Sequence, residues 1–162
     1  AKLYRIDKTF FYASYMIPAN YQKRGRKKLV NIEAKFYQEV KKSKNLVFYK
    51  GHRSPTSGKE KGVDIHLAVD LIKDAFFNNF DQAVIMTGDS DLIYPVEIVR
   101  NLGFPVHSIF LPNRFSLEIA YKTNSAIVLN ILNKFKSISR KLPSHLKIVN
   151  QTKAPYVNIR GR

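Results

Sequence analysis

Two aspartates separated by one residue, Asp89 and Asp91, close the apolar run Ala83–Thr87 in the stretch AVIMTGDSDLIYPV. Carboxylates held this close repel and raise each other's pKa unless a cation lies between them. The chain has no cysteine, and His52, His66, His107 and His145 fall at no metal-ligand spacing. Oxygen-only donors suit Mg²⁺ or Mn²⁺ better than Zn²⁺. A third carboxylate, Asp64, follows a Gly-rich loop and opens a helical pattern. Each of the three also has a plainer use. Asp91 or Ser90 suits the N-cap of a helix starting near Leu92, and Asp64 at a helix N-terminus is favoured by the helix dipole. Asp70 points well away from Asp64 along the same helix, and Asp74 is expected to face solvent.

Other chemistries find no support. Ser90 sits in GDSD, which is not a G-x-S-x-G nucleophile elbow. There is neither a GxxxxGK[ST] loop nor a G-x-G-x-x-G turn.

The elements that must position these residues follow from periodicity. Leu3–Ser14 reads as an aromatic, β-branched strand, and Pro18, Asn20 and Gly25 mark a basic loop after it. A helix is expected from Asn31, with Ile32, Phe36 and Val40 on one stripe. Leu46–Tyr49 is a strand, Gly51–Lys61 a loop and Val63–Phe77 a long helix. Ala83–Thr87 is a continuous apolar strand of the kind covered on both faces. Leu92–Leu102 is a helix that Gly103 stops, and Pro95 is tolerated in its first turn. Val106–Leu111 is a strand, and Phe115–Thr123 a short helix. Ala126–Leu132 fits either state. Gly88 is expected to permit a tight turn through its backbone freedom. Alternating strands and helices argue for an α/β domain with a mostly parallel sheet, whose ligands bind at the carboxyl ends of strands. Gly88–Asp91 lies at one such end. Residues 1–136 make the domain, and 137–162, polar, basic and broken by Pro143 and Pro155, are expected to be an appendage or tail.

Charge narrows the partners. The 162 residues carry 28 Lys and Arg against 12 Asp and Glu, and 44% are hydrophobic, enough for one real core. Eight acids lie between Glu60 and Glu97, opposed by Lys61 and Lys73, and no acid follows Glu118. A basic chain with an acidic middle suits a polyanion surface around a cation-binding centre, nucleic acid first. No apolar run spans a bilayer and there is no signal-peptide pattern. A membrane-surface role would need a basic amphipathic helix, such as Ile127–Lys141, and is not expected. The absence of cysteine fits the cytoplasm.

EKGVDIHLAVDLI (Glu60–Ile72) followed by DQAVIMTGDSDLIYPVEIVRNLGFPVHSIF (Asp81–Phe110) resembles the NYN domain family of the PIN-like nucleases. The likeness runs over roughly Lys2–Leu129. It implies a three-layer α/β/α Rossmann-like domain and a metal-dependent ribonuclease. One or two Mg²⁺ or Mn²⁺ ions would be held by Asp64, Asp89 and Asp91. It also implies that Lys61 and the basic loop residues Lys23, Arg24, Arg26, Lys27 and Lys28 hold the RNA backbone. Thr87 takes the small hydroxyl position before Gly88.

One motif departs from the family's pattern. The family begins with a strand ending in an I-D-G-x-N-like motif whose aspartate is a metal ligand. Ile6-Asp7 is the nearest match, but the spacing from FFYASYMIP to KGVD fits the family's second strand. The expectation is that the first strand and its aspartate are absent. Either the chain is a fragment, or a ligand has been lost and the protein binds RNA without cutting it. The oligomeric state is left open, a homodimer included.

Overall fold

The computed structural model describes residues 5–14, 27–54, 60–136 and 138–151. It is a mixed α/β chain that divides into two compact units, Ala1–Leu67 and Ala68–Arg162, so that the dividing point falls inside one helix. Each unit is described by itself.

In the first unit, β1 (Thr9–Ala13) and β2 (Leu46–Lys50) pair in parallel, Phe11 opposite Phe48 and Tyr12 opposite Tyr49. Helix α1 (Lys27–Lys41) connects them. Side chains alternate across a strand. One face of this pair therefore carries Phe11 and Phe48, whose rings lie 6.1 and 5.7 Å from the Tyr37 ring of α1. The stretch Gly51–Lys61, expected to be a loop, instead contains a short antiparallel pair, β3 (His52–Arg53) with β4 (Glu60–Lys61). Helix α2 (Val63–Phe76) begins at once after it. Asp7 lies just before β1, not at its carboxyl end, and pairs with Arg5 at the surface (3.4 Å). Of the expected RNA-holding residues, Lys23, Arg24 and Arg26 lie outside the described residues, while Lys27 and Lys28 open α1.

In the second unit, four parallel strands lie in sequence order: β5 (Ala83–Ile85), β6 (Val106–Phe110), β7 (Ser125–Ile131) and β8 (Leu146–Gln151). Helix α3 (Ile93–Asn101) links β5 to β6, and α4 (Leu117–Lys122) links β6 to β7. The ambiguous segment after Thr123 is thus a strand, which also removes the amphipathic helix weighed for Ile127–Lys141. Its central place decides the matter: Ala126 and Val128 are wholly buried, as are Val106 and Phe110 on β6 and Val96, Val99, Ile119 and Ala120 on the helices. These residues form the core, with Phe115 and Phe135 packed against it. β5 is shorter than expected and is an edge strand of this four-stranded sheet.

Part of the expected appendage or tail lies among the described residues. Leu146–Gln151 pairs with β7 along its length, and Asn130 Nδ2 donates to Asn150 Oδ1 at 2.7 Å. Asn130 Oδ1 in turn accepts from the Phe135 amide at 2.8 Å, tying down the connection. Tyr121 donates its hydroxyl to the Lys141 carbonyl (2.7 Å), and a His145 ring nitrogen meets the Ala120 carbonyl at the same distance. A segment with exposed positions on both faces gives a weak strand pattern, since only Leu146 and Val149 are half-buried. Among the described residues no helix is long and apolar enough to cross a membrane.

Two outcomes test this account. Phe110→Ala should cost about 3–5 kcal/mol in denaturant unfolding, because a fully buried aromatic side chain leaves a cavity. His107 on β6 contacts Ser125 Oγ (2.8 Å) and Gln82 Oε1 (3.1 Å), and burial lowers its pKa. The unfolded chain then takes up a proton that the folded chain refuses, so stability should fall as pH drops through the unfolded histidine's pKa. In a pH series of thermal melts, His107→Gln should flatten that part of the profile.

Candidate metal-binding turn

Residues 86–92 carry the chain from the carboxyl end of β5 into α3. The Thr87 Oγ1 accepts from the Asp89 amide at 3.1 Å, and Asp89 Oδ1 accepts from the Asp91 amide at 3.0 Å. Asp89 is therefore the N-cap of a single 3₁₀ turn, Ser90–Leu92, that precedes α3. The cap expected at Ser90 or Asp91 sits on Asp89 instead. The helix itself starts one turn later, and Leu92 at its N-cap position makes no side-chain cap bond. Leu92 and Pro95 are buried and anchor the turn from below.

Gly88 has a different reason from the one its sequence context suggests. Its φ is not positive; positive φ among the described glycines belongs to Gly62 and Gly103. A Cβ at position 88 would instead lie 2.6 Å from the Arg114 carbonyl oxygen and 2.8 Å from its carbonyl carbon. The backbone after β6 passes so close that a side chain at 88 has no room. That contact is non-local, and no reading of GDSD alone reveals it.

The two carboxylates are exposed. One oxygen of Asp89 holds the turn, while the Asp91 carboxylate makes no hydrogen bond or ion pair among the described residues. Asp64 is exposed in the first turn of α2, in the other unit. The spatial relation of Asp64 to the pair is thus not a property of either unit. Among the described residues, no group of three or more His, Cys, Asp and Glu side chains is placed to hold a metal ion. Asp89 and Asp91 nevertheless fit a hard cation by donor type. Mg²⁺ is commonly bound through one or two carboxylates, with waters and substrate phosphates completing its shell.

A polar network that the sequence did not expose fixes the start of α2. Glu60 on β4 accepts from the Ser14 amide (3.1 Å) and from the Ser14 hydroxyl. Arg53 on β3 donates to Ser14 Oγ (3.2 Å), to the Ser14 carbonyl (3.1 Å) and to Glu33 of α1 (3.0 Å). This ties the carboxyl end of β1 to the hairpin that leads into Lys61, Gly62 and Asp64. The adjoining Tyr37 hydroxyl has its pKa raised, first by burial and then by Glu33 and Glu60. The partners are 20 to 46 residues apart in sequence, which is why no local motif announces them.

A family model of the NYN domain matches residues 4–130. The chain belongs to the NYN family, within the PIN-like superfamily. No curated protein and no solved structure matches it significantly. The NYN match ends inside β7, so β8 lies beyond the part that the family describes.

The two glycines flanking the acids should respond differently to alanine. Gly88→Ala places a methyl against backbone that cannot swing aside, and should cost about 1–3 kcal/mol or more. Gly62→Ala, at φ +81° with its nearest new contact at 3.6 Å, is strained only in its dihedral and should cost about 1 kcal/mol. Urea unfolding of both variants gives the comparison.

Proposed function

We propose that the chain is a metal-dependent ribonuclease that hydrolyses RNA phosphodiester bonds. The observation that carries this is the exposed pair Asp89 and Asp91 at the carboxyl end of a parallel strand, in a chain that belongs to the NYN family. NYN membership supports a nuclease-like, RNA-related fold; the chemistry is our reading.

Asp89 and Asp91 would hold Mg²⁺ or Mn²⁺ together with Asp64 from the start of α2, and the three-layer α/β/α arrangement belongs to the same proposal. When bound, such an ion lowers the pKa of a water and neutralises charge on the phosphate. The chain's own contribution is positional. The Asp89 cap fixes the turn, the Arg114 backbone sets its height, and Asp91 is left without a structural duty. Lys61 at the end of β4, three residues before Asp64, and the basic residues Lys23, Arg24, Arg26, Lys27 and Lys28 would hold the phosphate backbone by charge. With 28 basic against 12 acidic residues, affinity for RNA should fall steeply with salt, with a log–log slope near −0.7 per phosphate contacted.

A second reading keeps the RNA and drops the cleavage. The charge balance, 28 basic against 12 acidic residues, favours RNA binding whether or not the chain cuts.

The decisive variants are Asp89→Asn and Asp91→Asn. Asparagine caps a helical turn about as well as aspartate, so Asp89→Asn removes the charge and keeps the turn. Each should cut Mn²⁺-dependent cleavage of labelled single-stranded RNA by at least about 100-fold, the upper range for disturbing even the outer shell of a metal site. RNA binding should stay nearly intact. Cleavage at wild-type rates in either variant would remove these residues from the site. Wild-type protein that binds RNA but never cuts it, with Mn²⁺ or with EDTA, would establish the second reading.

A further inference from the structure

The residue whose backbone crowds Gly88 has a side chain with no structural duty. Leu111–Arg114 is a tight turn that follows β6, closed by the Arg114 amide donating to the Leu111 carbonyl at 3.0 Å and by an antiparallel bridge between the same two residues. The next two residues anchor it. The Phe115 ring packs edge-on against Phe110 with centroids 5.0 Å apart, and Ser116 is the N-cap of α4. Arg114 therefore has a fixed seat, and a Cβ built on Gly88 would lie 3.1 Å from its Cα. Its side chain is rooted against the turn that bears Asp89 and Asp91. Arg114 is exposed, and among the described residues its guanidinium makes no hydrogen bond and no ion pair. The other described arginines are all engaged: Arg5 with Asp7, Arg53 with Glu33 and Ser14, Arg100 with Asn124 and the Lys122 carbonyl, and Arg140 with Glu118.

We propose that Arg114 binds the RNA phosphate that lies at the acid pair, its guanidinium donating to the non-bridging oxygens. The inference rests on the ribonuclease reading above and adds the group that meets the phosphate there. Two exposed carboxylates repel a phosphate. A polyanion crossing this turn therefore needs a positive charge beside it that the aspartates themselves have not taken up. Arg114 meets both conditions, being seated against the turn yet ion-paired with neither Asp89 nor Asp91. Its seat is set by backbone packing and not by a salt bridge, so taking a phosphate breaks no existing contact. A planar guanidinium offers paired N–H donors that match two phosphate oxygens, which an ammonium does not. Negative charge that builds on those oxygens as water attacks would be met by a donor already in place.

The test uses the full chain and a labelled oligouridine. Binding in EDTA is followed by anisotropy as salt is raised, for the wild type, Arg114→Ala and Lys147→Ala, the last an exposed cation of β8 that serves as control. Arg114→Ala should make the log–log slope shallower by about 0.7, the share of one phosphate contact, and Lys147→Ala should leave it unchanged. With Mn²⁺ and saturating RNA, Arg114→Ala should lower kcat at least about tenfold, as the loss of one charged hydrogen bond does. Arg114→Lys should recover part of that loss, and Lys147→Ala should cut at the wild-type rate. A wild-type slope or a wild-type kcat in Arg114→Ala, or equal changes in the two alanine variants, would overturn the contact and leave the ribonuclease reading standing. A wild type that binds but never cuts would end that reading, and the slope alone would then decide the contact. Binding to no RNA would overturn both. The Arg114 side chain is exposed, so its loss should not unfold the chain; if alanine does so, Arg114→Gln takes its place under the same outcomes.

Discussion

The Arg114 backbone occupies the space into which any side chain at position 88 would grow. This exclusion joins the end of β5 to the turn after β6, and the direction in which the chain leaves the sheet depends on it. With a glycine there, the chain can turn at once, Thr87 can accept from the Asp89 amide, and Asp89 can accept from the Asp91 amide. The exposed pair of carboxylates is the last consequence of a packing constraint that begins beneath it, where Phe110 at the end of β6 is fully buried against the core.

Asp89 holds its turn and, on the proposed reading, would also serve the chemistry. Capping uses one carboxylate oxygen, and the amide it accepts from brings a partial positive charge that offsets some of the repulsion from Asp91. Exposure to water reduces that repulsion further, since charges near a surface interact through a high effective dielectric. The pair is therefore tolerable without an ion. The plainer use of these residues and the proposed one are compatible, because the cap engages one oxygen of Asp89.

Much of this was legible in the sequence, and the failures share a cause. The helices α1, α2 and α3 and the strands β1, β2 and β6 follow from local periodicity, which side-chain burial on one face imposes directly. The acids of GDSD and KGVD were legible because their types and spacing are chemical statements in themselves. What escaped depends on partners far along the chain. β3 and β4 are two residues each, too short to show a period, and are held by Glu60 and Arg53 acting on Ser14 and Glu33. β8 was hidden by its exposed edge position, where apolar residues are not required. Gly88 was rightly singled out, but for the wrong reason. Dihedral freedom can be guessed from a turn motif, whereas a close approach by residue 114 cannot.

Charge is shared unequally between the two units. Most of the excess positive charge lies before residue 68, and the exposed acid pair lies after it. A polyanion would therefore be drawn to the first unit more strongly than to the second, where seven acids, Asp89 and Asp91 among them, stand against twelve basic residues. Two exposed carboxylates by themselves make a weak site for a hard cation, which gives up its waters reluctantly. On the proposed reading, an RNA phosphate would supply further oxygens of the kind such a cation takes. Binding of nucleic acid and binding of metal would then reinforce each other, each lowering the charge the other must face. On this view the basic surface does more than add affinity. By holding phosphate it would add oxygens to those of the proposed aspartates, one of them half-committed to holding a turn.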